Sequence, residues 1–261
     1  MTKQAIDALE IEIRRAKELL GSLSDEEWAA ASGCDGWRVQ DVVQHMAAIF
    51  QQIAAPDTLE TGQAESTEAT AELPVQARKD WDPARVVAAY DEWSEKGMVA
   101  LKGLQDPPMA AMVVPMSDLG SHPLHMLANA LAFDHYCHLR HDIGMSIERS
   151  ASLPRDESVL DPGVEWMLAG LPQMCADALA AAPARSLNLV LEGPGGGEWT
   201  LAPGDDGWTV TEGRDPDAPT IVSTAHDFVS WGTKRSDWRN TSSGDVDFPE
   251  VQQILDAINI I

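Results

Sequence analysis

The chain has 261 residues, 44% of them hydrophobic, enough to bury a sizeable core and, at this length, to form two domains. Forty-two acidic residues against 18 basic ones give a formal charge of -24, which argues against nucleic acid or an anionic membrane as a partner. No apolar run approaches the roughly 18 to 20 residues of a membrane span, and three cysteines without framework spacing, with no apolar leader-like run at the start, predict a reducing cytoplasm.

A first amphipathic helix is predicted from Lys3 to Leu20, with Ile6, Leu9, Ile13 and Leu20 on one face. Gly21 ends it, and Ser24-Asp25-Glu26-Glu27 restarts helical structure. A second helix, Val39 to Ala55, buries Val39, Val42, Val43, Met46, Phe50 and Ile53, with His45 at the edge of that face. Pro56 to Pro74 is rich in Thr, Glu and Ala and reads as a mobile acidic loop, either a surface excursion or a lid. A third helix begins at Trp81-Asp82-Pro83 and carries Val86, Val87, Tyr90, Trp93 and Leu101; Asp106 to Leu119 is irregular. The next helix is expected from Ser121, its cap, to about Ile143.

A fifth helix, about Pro162 to Ala181, leads to a change of texture near Pro183, where the domain boundary is expected, giving domains 1–182 and 183–261. Beyond it, Ser186 to Leu191, Glu198 to Leu201 and Trp208 to Thr211 read as a meander, with another strand at Thr220 to Ser223. Helices through Trp231 and from Pro249 to Ile258 complete an α+β chain whose second domain has an antiparallel-type sheet with helices on one side. Pro194-Gly195-Gly196-Gly197 lacks the Lys-Ser/Thr of a phosphate loop and is a hairpin turn.

The helix from Ser121 carries the chemistry. Leu124, Leu127 and Leu131 recur at steps of three and four, and the same rhythm lands next on Asp134 and His138, then on His141 or Asp142. An unpaired carboxylate or imidazole on a buried seam costs several kcal/mol, roughly, so a partner is required, and a divalent cation is one. His45, at the edge of the second helix's apolar face, is the candidate third ligand; two His and one carboxylate would leave coordination positions open, the pattern of a catalytic site. His135 and His141 are rival ligands, and His141 and Asp142 are candidates to orient one. His122 and His125, flanking Pro123, are candidates for a pocket mouth. Cys34 has no Cys-His-Asn or Cys-x-x-Cys context and reads as packing before the Gly36 turn; Cys137 and Cys175 read as core. Against the global charge, Arg38, Arg140, Lys234, Arg235 and Arg239 are the candidates to receive an anionic substrate.

Cys34-Asp35-Gly36-Trp37-Arg38-Val39-Gln40-Asp41-Val42-Val43-Gln44-His45-Met46 closely resembles the C-x-G-W-x-V-x-D-(V/L)-(V/L)-x-H-(L/M) segment of the mycothiol-dependent maleylpyruvate isomerase family. Asp134-His135-Tyr136-Cys137-His138 is similar to its second signature, a carboxylate, three residues and a His; Trp231-Gly232 and Gly244-Asp245 match its C-terminal domain more weakly. The resemblance implies a DinB-like four-helix bundle followed by a small α/β domain, and metal ligation by His45, Asp134 and His138, with zinc the expected ion. It implies a small thiol, mycothiol or similar, whose thiolate adds to a cis double bond conjugated to carbonyls. The bond then rotates, and elimination gives the trans product. Arg235 and Arg239 are the candidates to pair with carboxylates of an electrophilic or unsaturated acid substrate. The protein is expected to act as a monomer or weak homodimer. S-transfer by the same thiolate, metal-dependent hydrolysis and ligand binding without catalysis are the alternatives. The chain departs from the family in having Asp134 in place of Glu, one methylene shorter, and in a run after the last ligand, Leu139 to Ile143, that is one residue longer.

Overall fold

The computed structural model describes residues 2–60, 62 and 66–260. The chain divides into two compact units, Met1–Pro154 and Arg155–Ile261. The first contains α1 (Thr2–Leu20), α2 (Val39–Ala54), α3 (Thr67–Ala77), α4 (Pro83–Gly103) and α5 (Leu127–Cys137). Helix α2 packs along α4, α1 along α5, and α3 beside α2. Leu9, Leu20, Val42, Val43, Met46, Phe50, Val86, Tyr90, Leu101 and Leu131 form one buried cluster, so the faces predicted from periodicity are the faces that meet.

The helix starts follow local chemistry. Ser24 and Glu27 form a reciprocal capping box, and Asp82 accepts from the Arg85 amide, with Pro83 in the first turn. Asp41 reaches back to the Arg38 amide at 2.9 Å and also holds the Arg38 guanidinium at 2.8 and 2.9 Å, which fixes the entry to α2.

Two expectations in this unit are corrected. The stretch Pro56 to Pro74 is not a mobile loop throughout: Pro56–Thr58 is a 3₁₀ turn, and α3 takes up everything from Thr67. Ser66 caps α3 by accepting from Ala69, and Asp118 accepts from the amide and hydroxyl of Thr67. Arg78, at its other end, is held by Gln51 at 2.8 Å and by Glu60. Residues 61 and 63–65 of that stretch lie outside the described residues. The second correction concerns the ligand helix, which does not begin at Ser121. Ser121–Pro123 is a strand, β2, paired antiparallel with β1 (Val113–Pro115). A 3₁₀ turn, Leu124–Met126, then leads into α5. Val113 and Val114 provide the pairing partner that periodicity alone does not reveal.

The second unit holds α6 (Glu157–Met174), α7 (Ala176–Ala181), β3 (Leu187–Glu192), β4 (Gly197–Gly204), β5 (Gly207–Glu212), β6 (Thr220–Thr224), α8 (Ala225–Gly232), β7 (Ser243–Gly244) and α9 (Pro249–Ala257). The sheet order is β5-β4-β3-β6-β7. The first three strands are the predicted meander, but β6 returns to lie parallel to β3, with Leu189 opposite Ile221, so the sheet is mixed. The unit boundary falls at Pro154/Arg155, ahead of α6, and not near Pro183. The reason is packing: α6 lies against β5 and α8, and its Leu168 and Leu171 meet Leu187, Leu189 and Leu201 of the sheet and Leu255 of α9. The texture change at Pro183 marks the passage from helix to strand, not the edge of a core. Among the described residues, no helix is long and apolar enough to cross a membrane.

Candidate metal centre

Asp134 lies in the last turn of α5, and His138 opens a π-turn, His138–Asp142, that continues it. A π-turn closes over one more residue than an α-turn. His45 faces them from α2. Its Nε2 is 3.3 Å from Asp134 Oδ1, and His138 Nε2 is 3.2 Å from the same oxygen. The two imidazoles meet edge to face with centroids 5.0 Å apart, and the candidate ligand atoms of all three residues lie within 4.8 Å of one another.

The protonation pattern decides what this arrangement can hold. His138 Nδ1 lies 2.6 Å from Asp142 Oδ2, and Asp142 is fully buried. A carboxylate only accepts, so Nδ1 carries the hydrogen and Nε2 of a neutral His138 presents its lone pair to Asp134. In the metal-free protein a protonated His138 and the Nε2–H tautomer of a neutral His45 can each donate to Asp134 Oδ1, at 3.2 and 3.3 Å. With both Nε2 atoms deprotonated, a divalent ion between them and Asp134 would take up all three lone pairs. The second oxygen, Asp134 Oδ2, is buried without a hydrogen bond among the described residues. His135 Nδ1 approaches it only to 3.5 Å and is engaged by the Leu131 carbonyl at 3.0 Å. These donors fit a borderline cation such as zinc, with Asp142 in the supporting position that a metal-bound histidine requires.

The electrostatics are those of the metal-free arrangement, in which His45 is neutral and His138 favours its protonated form, so a metal has to displace the His138 Nε2 proton. Burial pushes His45 below the ordinary histidine value and so keeps it neutral, as a ligand must be. Burial would also lower His138, but the Asp134 charge and the bonds to Asp134 and Asp142 outweigh it and raise the group well above that value. Burial would raise Asp134, but the facing His138 charge and the surrounding imidazoles hold it well below the usual carboxylate range.

The rivals are placed elsewhere. His135 is fully buried, donates from Nδ1 to Leu131 O, and accepts at Nε2 from the Tyr90 hydroxyl at 3.1 Å, so both nitrogens are taken. His122 and His125 donate to the carbonyls of Leu119 and Ala110, each at 2.8 Å, and do not join the group. Cys34 is the residue the sequence reading missed. Its Sγ lies 3.9 Å from His138 Nδ1, on the side of the ring turned away from Asp134. Cys34, His138 and Asp142 could themselves gather round a cation. That grouping would have to break the 2.6 Å bond from Nδ1 to Asp142, which the first grouping keeps. The signal for Cys34 was its place in the Cys-x-Gly-Trp motif.

The candidate arginines are largely committed. Arg140 is buried against Glu12, Arg38 is bound to Asp41, and Arg239 gives its fork to both oxygens of Asp256 at 2.9 Å. Lys234 Nζ donates to the Asp256 carbonyl. Arg235 is exposed in the second unit.

The Gly33 amide donates to Asp142 O at 2.9 Å. A Cβ at Gly33 would stand 2.6 Å from Asp142 Oδ1 and 3.0 Å from its Cα. Gly33→Ala is therefore expected to push Asp142 off His138, costing about 1–3 kcal/mol of stability and weakening divalent binding. Thermal unfolding and a chelator-competition titration check it, and an unchanged affinity would show that Asp142 does not support the site.

The chain matches the family described as Mycothiol maleylpyruvate isomerase N-terminal domain over residues 9–143, more than half its length. Among solved structures it is similar to the mycothiol-dependent maleylpyruvate isomerase, with a TM-score of 0.58 and 13% identity over 96% of this chain and 95% of that one. A histidine-to-alanine mutant of that isomerase matches at 0.55 and 12% over the same shares. At such identity the structures show a common fold. No curated protein matches in sequence. The sequence match, which spans both the helix of His45 and the turn of His138, shows that the chain belongs to the mycothiol maleylpyruvate isomerase family.

Proposed function

We propose that the protein is a metal-dependent enzyme that uses a small thiol, mycothiol or a relative of it, to isomerise a cis-unsaturated acid to its trans form. The observation that carries the reading is the convergence of His45 Nε2, Asp134 Oδ1 and His138 Nε2, with the His138 hydrogen turned away onto Asp142. A bound divalent ion supplies one thing here, a lowered pKa for a coordinated thiol, making it a nucleophile at neutral pH. The residues do the rest. With the ion bound, His45 and a His138 that has given up its Nε2 proton would present lone pairs, Asp134 would balance charge, and Asp142 holds the Nδ1 hydrogen and ring plane of His138. Three protein ligands leave room for the thiol beside them. Addition of the thiolate to the conjugated double bond makes it a single bond, rotation follows, and loss of the thiolate returns the double bond in the trans form. Pairing with a substrate carboxylate is proposed for Arg235 and Arg239, the second of which would have to exchange Asp256 for the substrate.

The test is an isomerisation assay on a cis-unsaturated diketo acid, with metal-stripped and zinc-reconstituted protein, each with and without thiol. Turnover is expected only where both zinc and thiol are present. Isomerisation by the metal-stripped protein at the reconstituted rate would sink the reading, and cleavage of the substrate by the zinc-loaded protein without thiol would point instead to hydrolysis by bound water.

A further inference from the structure

Helix α3 reaches the metal centre through one side chain. Trp37 Nε1 donates to Glu72 Oε2 at 2.7 Å, and the Trp37 ring lies against the His45 imidazole, with centroids 5.3 Å apart and planes at 52°. The backbone of Trp37 is fixed from the other side. Its amide donates to Cys34 O at 3.0 Å, its carbonyl accepts from the amide and hydroxyl of Ser32 at 2.9 Å, and Gly36 supplies the positive φ of 75° that the turn needs. That leaves the two side-chain torsions of Trp37 to decide where the indole lies, and the Glu72 bond fixes them.

Glu72 is itself held. Its other oxygen accepts from Gln76, one turn along α3. The helix is tied at its start to Asp118 and at its end, through Arg78, to Gln51 on α2 and to Glu60. An indole N–H on a carboxylate is a charge-assisted bond, stronger than one between neutral groups. His45, in contrast, sits half-buried at the edge of its helix face. Its ring needs a wall if Nε2 is to point at Asp134 and His138 before a ligand arrives, and such preorganisation is what separates a site that binds from one that is merely present.

We propose that Glu72 is a positioning residue of this metal centre, acting through Trp37 to hold the His45 imidazole in its ligating orientation. The inference rests on the metal reading given above. It also gives α3 a purpose that its composition conceals, because nothing in a Thr- and Glu-rich stretch ties position 72 to position 37.

Zinc affinity of the metal-free protein, measured by competition with a chromophoric chelator, tests it. Glu72→Ala is expected to weaken zinc roughly 10- to 100-fold, the range for loss of a supporting residue. Glu72→Gln keeps an oxygen that accepts the indole N–H and is expected to bind as the wild type does. In a Trp37→Phe background, Glu72→Ala is expected to cause no further loss, because the route to His45 is already cut. Circular dichroism of each metal-free variant confirms that α-helix is retained, and Glu72→Gln serves as the folded control. Tight binding by wild type with equal affinity in Glu72→Ala overturns this inference alone. So does an equal loss from Glu72→Ala in the wild-type and Trp37→Phe backgrounds. No zinc binding by the wild type overturns the metal centre and this inference with it.

Discussion

His138→Ala and His45→Ala should each abolish stoichiometric zinc, and the two variants should differ in what else they lose. His138 joins both halves of the centre, with Nε2 3.2 Å from Asp134 and Nδ1 2.6 Å from Asp142. Its removal takes a ligand from the ion and, in the same step, a charge-assisted partner from a fully buried carboxylate. Hydrogen bonds to charged groups contribute about 1.5–3 kcal/mol. The metal-free His138→Ala protein should therefore melt lower than metal-free wild type by an amount of that order. His45 stands at the rim, and its one ring-nitrogen contact with an acid is the 3.3 Å approach to Asp134. His45→Ala leaves the His138 pairs with Asp134 and Asp142 in place and should leave the metal-free melting temperature nearly unchanged.

Elemental analysis of protein purified without chelator or histidine tag, paired with calorimetry of the stripped forms, reads both effects. Each variant should fall by more than the roughly 10- to 100-fold expected for a supporting residue such as Asp142, because an ion left with two of its three protein ligands must complete its shell from water. Retention of one zinc per chain in both variants would place the ion elsewhere. A lower metal-free melting temperature in His45→Ala than in His138→Ala would reverse the structural assignment of the two histidines.

The parts of this candidate centre that were legible in the sequence are those set by local spacing or by a motif. Asp134 and His138 at i and i+4 share a helix face by geometry, His45 sits where the Cys-x-Gly-Trp motif puts it, and the apolar stripes of α1, α2 and α4 follow from their 3.6-residue period. What was not legible joins residues far apart in sequence that no period relates. Glu72 and Trp37, and Cys34 and His138, meet through tertiary packing alone. The helix expected from Ser121 failed for a related reason: strand pairing with Val113–Pro115 is a non-local gain that overrides the local preference. The parallel return of β6 beside β3 passes over β4 and β5, so the order in which strands appear in the chain could not give it. Arg140 is the sharpest case. Read as a residue available to an anionic substrate, it is instead buried on Glu12, a partner 128 positions away.

Arg140→Met should destabilise the first unit by about 3–5 kcal/mol. Both side chains of the pair are fully buried, with Arg140 nitrogens 2.7 and 3.0 Å from the two Glu12 oxygens. Removing the guanidinium leaves a buried carboxylate supported by Arg15, which reaches Glu12 at 2.7 Å from a partly exposed position, so the loss should fall toward the lower end of that range. The Pro154 carbonyl loses its 2.5 Å donor, and the Tyr136 ring loses the guanidinium 4.0 Å above it. Glu12→Leu combined with Arg140→Met removes both charges and should recover most of the stability, because burying an ion pair costs desolvation that an apolar pair of similar volume does not. Denaturant unfolding of the four proteins gives the coupling directly, and additive losses would mean that the two charges do not stabilise each other. Arg140 also lies inside the π-turn, between His138 and Asp142. If the ion pair sets the shape of that turn, zinc affinity should fall in Arg140→Met and stay low in the double variant, whose stability returns. If the hydrogen bond from His138 to Asp142 sets it, affinity should recover together with stability, and the pair would then serve the fold alone.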